Sequence, residues 1–311
     1  MPDVTHGIQR LPETSREPLR VMNVGEILRQ EFPPRRLLLE PWLSTQSLSM
    51  LYAWRGVGKT HAALNIAWAV ASGTGWLDWK APEAAPVLYL DGEMPAPTLQ
   101  ERLASILAAS ADSAAPENLR LLTPDVNRDR FLPDLSTPAG QQEIEEIIGD
   151  ALLIVVDNLS CLCRSGGKEN EAESWQMVAD WALRQRALGR SVLFIHHAGK
   201  GGAQRGTSKR EDILDNVIAL KRPNDYEPRE GARFEIHFEK ARALYGEEVA
   251  AVEARLDSDD RGAQLWTTRS VEESLTEQIL ELHQDGFTQR QIANELAIGV
   301  GTVNRHLKKQ R

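Results

Sequence analysis

Ser49-Met-Leu-Tyr-Ala53-Trp-Arg-Gly56-Val-Gly58-Lys59-Thr60 is a short apolar run that breaks into a glycine-bearing loop, and an alanine-rich stretch follows from His61 to Ala71. The run Ser49–Ala53 is predicted to be a strand and His61–Ala71 a helix. The loop fits the phosphate-loop pattern G-x-x-x-x-G-K-[ST] in all but its first glycine, where Ala53 stands, small enough to be tolerated. Such a loop must turn its backbone N–H groups towards phosphates, so side chains have to be absent at Gly56 and Gly58. Lys59 would reach the β- and γ-phosphates and the Thr60 hydroxyl would ligate Mg²⁺. A helix starting there adds the positive end of its dipole. Nucleotide contacts are therefore expected from Arg55, Gly56, Val57, Gly58, Lys59, Thr60 and His61. A chance glycine-rich turn is the alternative, but the strand before and the helix after are the context the motif requires.

Working outward, Val87–Asp91, Leu152–Asp157, Val192–His197 and Asn216–Leu220 are further, mostly continuous apolar runs. Thr98–Ala109, Gln141–Ile148 and Ala172–Ala187 between them have helical character. This alternation predicts an α/β core, a mainly parallel sheet between helices. Ligands of such sheets lie beyond the carboxyl ends of the strands, so strand-terminal polar residues become candidates. Asp157 stands where a second carboxylate would hold Mg²⁺ opposite Thr60; capping the next turn is the plainer role. Glu93 could orient and deprotonate an attacking water, or be a solvated loop side chain. Asp91 either bonds the phosphate loop or merely ends its strand. His196 and His197 close the fourth strand, and one of them could sense a γ-phosphate. Beyond Leu220, Arg233–Lys240 alternates as a strand with one wet face. Val249–Leu256 and Gln264–Thr267 are candidate antiparallel partners, separated by polar Asp257–Gly262.

The chain has 311 residues, 36 Lys and Arg against 45 Asp and Glu, for a net charge of −9. A uniformly basic coat is excluded, so any nucleic acid must be met by local patches. Cys161 and Cys163 are too close for a good disulfide and have no second pair to complete a zinc site, which fits a reducing cytosol. No apolar run approaches the ~18 residues of a membrane span, and the proline-bearing start does not read as a signal peptide. A cytoplasmic protein is expected. Residues 1–36 read as an N-terminal arm with one short helix, Val24–Gln30.

The order of phosphate loop, strand ending Asp91-Gly-Glu-Met-Pro95, strand ending Val155-Val-Asp-Asn158 and strand ending His196-His-Ala-Gly-Lys-Gly201 resembles the RecA-like P-loop ATPases. Within them it is similar to the RepA-type hexameric helicases of plasmids and phages, relatives of the DnaB helicases. Arg205-Gly-Thr-Ser208 and Leu214-Asp-Asn-Val217 are similar to further elements of that group, and the resemblance runs over about Leu37 to Leu256. It implies ATP and Mg²⁺ as ligands, Glu93 as catalytic base, Thr60 and Asp157 on the metal, and His197 as γ-phosphate sensor. It also implies that Lys240 and Arg242, matching a Lys-x-Arg on a late strand, enter the neighbouring subunit's site in a hexamer. An ordinary charged strand end is the alternative for that pair.

Two regions are candidates for nucleic acid. Gly199–Arg210 carries Lys200, Arg205, Lys209 and Arg210 and no acid, suiting a single-stranded backbone, whereas Ser165–Glu171 is net acidic. The tail reads as a helix-turn-helix: Leu275, Ile279 and Leu282 on one face, a break at Gly286, Thr288 as cap of Gln289–Leu296, then Thr302–Lys309. It resembles the DNA-binding domains of bacterial regulators, with Asn304, Arg305, Lys308 and Lys309 facing a major groove. A three-helix module that docks on protein is the alternative. Ala297 stands where those domains place a glycine with positive φ, a conformation costing a non-glycine about 1 kcal/mol, so the turn is expected to shift towards Gly299. The expected organisation is thus arm 1–36, ATPase core 37–268 and helix-turn-helix 269–311. The expected function is an ATP-driven ring helicase of plasmid or phage-type DNA replication. An ATP-switched DNA-binding regulator and a recombinase-like filament are the alternatives.

Overall fold

A computed structural model describes residues 19–110, 116–164, 171–199, 211–242 and 244–309. The described residues up to Pro34 form a unit of their own. In it Asn23 Oδ1 accepts from the Glu26 N–H at 3.0 Å and the Glu26 carboxylate accepts from the Asn23 N–H at 2.7 Å. This reciprocal cap starts α1 (Val24–Arg29), in which no residue is buried.

The second unit begins at Arg35. Its first half contains β1 (Leu37–Leu39), β2 (Leu43–Ser44), β3 (Leu48–Ala53), α2 (Lys59–Ser72), β4 (Gly75–Trp76), β5 (Trp79–Lys80), β6 (Val87–Asp91), α3 (Ala96–Ala109) and β7 (Leu119–Leu122). There follow α4 (Pro138–Ile148), β8 (Leu153–Asp157), α5 (Leu159–Leu162), α6 (Glu171–Ala187), β9 (Ser191–His197) and β10 (Asn216–Lys221). The last part contains β11 (Arg233–Ala241), β12 (Val252–Ser258), β13 (Gln264–Ser270), α7 (Val271–Gln284), α8 (Gln289–Glu295) and α9 (Val300–Lys309).

Nine strands make one sheet in the order β13-β12-β11-β10-β3-β9-β8-β6-β7. From β10 to β7 every pairing is parallel, and β11, β12 and β13 add an antiparallel flank. The five apolar runs all lie in the parallel part. They are buried on both faces, with α2 and α3 packed on one side and α4, α5 and α6 on the other. Three features depart from expectation. The parallel sheet gains an edge strand, β7, and two small hairpins, β1–β2 and β4–β5, precede β3 and follow α2. Residue 249 closes a short turn, Gly246–Val249, instead of starting a strand.

The antiparallel flank of the sheet is tied to the two hairpins by rings packed edge to face. Trp42, Trp76, Trp79, Trp266, Phe234 and Phe238 meet with centroids 5.3–6.3 Å apart. At the amino ends of the central strands Asp215 Oδ2 accepts from the Leu48 N–H at 3.0 Å, and the buried Asn216 amide donates to the Trp42 carbonyl at 3.0 Å. The Leu214–Val217 motif therefore clamps strands together, at the end of the sheet remote from the phosphate loop.

No connecting segment follows β13: Ser270 ends the strand and caps α7, accepting from the Glu272 N–H at 3.2 Å. Ile279, Ile292, Ala293, Leu296 and Val303 form a separate small core among α7, α8 and α9. Thr288 caps α8 with Gln291 reciprocating. Ala297 itself takes φ = 51°, so the turn stays where it was and does not shift to Gly299.

Candidate nucleotide site

The phosphate loop joins β3 to α2. Ala53 keeps strand geometry, paired with both His197 and Leu220, and so its methyl group does not disturb the loop. Gly56 has φ = 74° and Gly58 φ = 124°. At Gly58 a Cβ would also come 2.9 Å from Phe234 Cε1, so β11 presses directly on the loop. Lys59, 7% exposed, folds back to donate to the Ala53 and Trp54 carbonyls, each at 3.3 Å. Burial lowers its pKa, an effect opposed by the carboxylates of Asp157 and Glu93.

Asp157 and Asp91 are paired across β8 and β6 at the strand ends. Asp157 is 3% exposed; it accepts from the Tyr89 hydroxyl at 2.6 Å, and that bond and the nearby Thr60 side chain both act to hold its pKa down. Burial nonetheless pushes its pKa up to about 6, with Asp91 and Glu93 adding repulsion. A hydroxyl and a carboxylate are the oxygen donors a hard divalent cation takes, and a cation there would restore the charge that burial suppresses. Thr60 and Asp157 therefore fit Mg²⁺. Asp91 caps the following turn, its Oδ1 accepting from the Glu93 and Met94 N–H groups at 3.3 and 3.1 Å. Of its two expected roles, ending the strand is the one observed.

That turn presents Glu93 to solvent, where its carboxylate accepts from the Cys161 thiol at 3.4 Å. Burial, followed by the Glu93 hydrogen bond, pushes the thiol up to about 11, so it stays a neutral donor. Side chains alternate along β9: His196 is buried on the face that carries Phe194, while half-buried His197 points to the phosphate-loop side.

One cavity of about 800 Å³ gathers these groups: Arg55, Gly56, Gly58, Lys59, Thr60, His61, Glu93 and His197 all line it. Val57 does not, its side chain being 2% exposed in the core. Only its backbone is available to a nucleotide. His61 is driven down to about 4, by burial first and then by the Arg102 charge, and is neutral near pH 7. Arg102, Ser160, Tyr226, Pro228, Gly231 and Ala232 complete the lining and escaped the sequence reading. No motif marks Arg102. The stretch from Arg222 to Ala232, however, follows the carboxyl end of β10, which is where the strand-end rule would have found it.

A family model described as "AAA domain" matches residues 13–203, a span that includes the phosphate loop, Glu93, Asp157 and His197. The chain belongs to the AAA domain family. A KaiC-like protein from the hyperthermophilic archaeon Pyrococcus horikoshii OT3 is similar in structure, with a TM-score of 0.51 and 15% identity over 74% of this chain and 93% of that one. The flagellar accessory protein FlaH of Methanocaldococcus jannaschii aligns with a TM-score of 0.47 and 10% identity over 72% and 90%. This AAA-family chain is thus a P-loop ATPase with a RecA-like core. Among the described residues no helix is long and apolar enough to cross a membrane.

Other expected residues lie apart from the cavity. β11 runs antiparallel to β10, so Lys240 and Arg242 sit at the end of the sheet away from their own phosphate loop. There Lys240 donates to the Glu211 carbonyl, and exposed Arg242 donates to the Asp212 carbonyl at 2.9 Å. Asn304, Arg305 and Lys308 share one open face of α9 around a hollow of about 420 Å³. Lys200, Arg205, Lys209 and Arg210, the Ser165–Asn170 part of the acidic loop and the Lys309 side chain lie outside the described residues.

Proposed function

We propose that this AAA-family chain hydrolyses ATP to act on DNA, as a ring motor of the RepA type, with α7–α9 serving as a helix-turn-helix that holds duplex. One observation carries the reading. Lys59, Thr60, Glu93 and His197 converge on a single cavity, whereas Lys240 and Arg242 stand at the opposite end of the sheet, bonded to their own chain but with Arg242 exposed there. Lys59 would hold the β- and γ-phosphates, and Glu93 would take the proton of an attacking water. Thr60 and Asp157 would hold a divalent cation, which supplies charge neutralisation on the β- and γ-oxygens. The base end of the nucleotide would lie towards Tyr226 and Pro228. Arg242 of the next subunit would stabilise charge in the transition state, making turnover depend on assembly.

ATP turnover with and without single-stranded DNA tests this, with Lys59→Ala as the blank. Stimulation of several-fold, absent in the variant, is expected. Turnover indifferent to single strands would sink the motor. A nucleotide-switched duplex binder would then be the better reading, favoured by the hydrogen bond of 3.1 Å from the Asn224 amide, in the segment that lines the cavity with Tyr226 and Pro228, to the Leu296 carbonyl of the three-helix unit.

A further inference from the structure

The lid of the cavity is residues 222–231, and it touches three things at once. At its start the Arg222 guanidinium donates to the Gly56 carbonyl of the phosphate loop at 3.3 Å and lies 4.4 Å over the Tyr226 ring. The Tyr226 hydroxyl donates to the Gly231 carbonyl at 3.0 Å, closing the segment on itself, and Tyr226, Pro228 and Gly231 line the nucleotide cavity. Between these contacts the Asn224 amide donates to the Leu296 carbonyl at 3.1 Å. Leu296 ends α8 and precedes Ala297, the residue held at positive φ.

A second route leaves the same segment. Arg233, 5% exposed, donates to Asp225 at 2.9 and 3.0 Å, to Glu230 at 3.0 and 3.1 Å, and to Glu253 at 2.8 and 3.3 Å. The buried Glu253 carboxylate also accepts from Arg269 at 3.2 Å and from the Ser274 hydroxyl of α7 at 3.4 Å. Arg269 reaches Glu277, one turn further along α7, at 3.3 Å. A buried ion pair missing one partner is strongly destabilised, so this chain of charges moves together or stays put.

We propose that residues 222–231 couple the nucleotide cavity to the three-helix unit, so that a bound nucleoside triphosphate alters the unit's grip on duplex DNA. The proposal rests on the reading of that unit as a DNA binder. Phosphates in the loop bring negative charge beside Arg222, whose guanidinium is divided between Gly56 and Tyr226. Any shift of Arg222 is handed to Asn224 two residues on and to the Asp225–Arg233 pair. Both routes end in the helices, one at the turn before α9 and one at the first turn of α7.

The test uses the full chain, a mixed-sequence duplex DNA fragment and a non-hydrolysable ATP analogue. Asn224 is outside the cavity lining, so Asn224→Ala removes the direct bond and leaves nucleotide affinity unchanged. The analogue is expected to change the Kd for duplex by about fivefold or more, the lower end of usual coupling between sites, and DNA must change the analogue's affinity by the same factor. In Asn224→Ala the factor is expected to fall below about twofold. An equal factor in both proteins, or none in the parent, overturns the proposal. Failure to bind DNA under any condition would refute the DNA reading alone. Amide hydrogen exchange in α8 and α9, with and without the analogue, then decides. A protection change present in the parent and lost in Asn224→Ala upholds the coupling, and no change in the parent removes it.

Discussion

Asp157, proposed above as a cation ligand, opposes the stability of the fold that buries it. The unfolded chain releases its proton at ordinary carboxylate pH, whereas the folded chain keeps it until about pH 6 because burial dominates. Between those values the native state binds more protons, so the stability of the ligand-free protein falls as pH rises from about 4 to about 6 and stays lowered above that. Asp157→Asn removes the penalty. Thermal melts should show it more stable than the parent by up to about 3 kcal/mol at about pH 8 and little changed at about pH 4. An equal gain at both pH values would mean that relieved packing, not ionisation, is responsible. The same variant should lose cation-dependent hydrolysis. The sequence marks Asp157 as an apolar strand's terminal carboxylate, but its raised pKa comes from burial and from Asp91 in the neighbouring strand, against the opposing Tyr89 hydrogen bond. That pairing is a matter of register, which one strand's composition does not carry. Glu93 and His197 were legible for the same reason as Asp157, as strand-end residues, and Arg102 was not because it projects from a helix of ordinary composition.

At the scale of elements, long continuous apolar runs announced the five central strands and their helices. The edge strand β7 was missed because Leu119–Leu122 is half-buried throughout and interrupted by Arg120. The hairpins β1–β2 and β4–β5 have strands of two or three residues, too short for any period to register. The turn between α8 and α9 was placed by the cost of positive φ at Ala297, yet packing of Ile292, Leu296 and Val303 into one small core outweighs that cost. Ala297→Gly should therefore stabilise α8 and α9 by about 0.5–1 kcal/mol, read as slower amide exchange, and Gly299→Ala should change little. The reverse pattern would put the turn at Gly299.

Across the whole molecule, the separation of Arg242 from its own phosphate loop yields a prediction about copies acting together. Arg242→Ala and Glu93→Gln should each abolish most ATP turnover. Mixed in equal amounts, they should regain roughly a quarter of parental activity, because a random ring then contains sites with Glu93 from one copy and Arg242 from the next. Activity equal to the sum of the two variants alone would leave each chain with a self-contained site and refute the ring. β13 passes into α7 at Ser270 with no residue between them. A helical module on a long tether searches the volume its linker allows and tolerates targets at many distances. Here that reach is given up. The module's orientation is that of the sheet edge, so the spacing and phase of whatever several copies grasp would be set by how their ATPase cores are arranged.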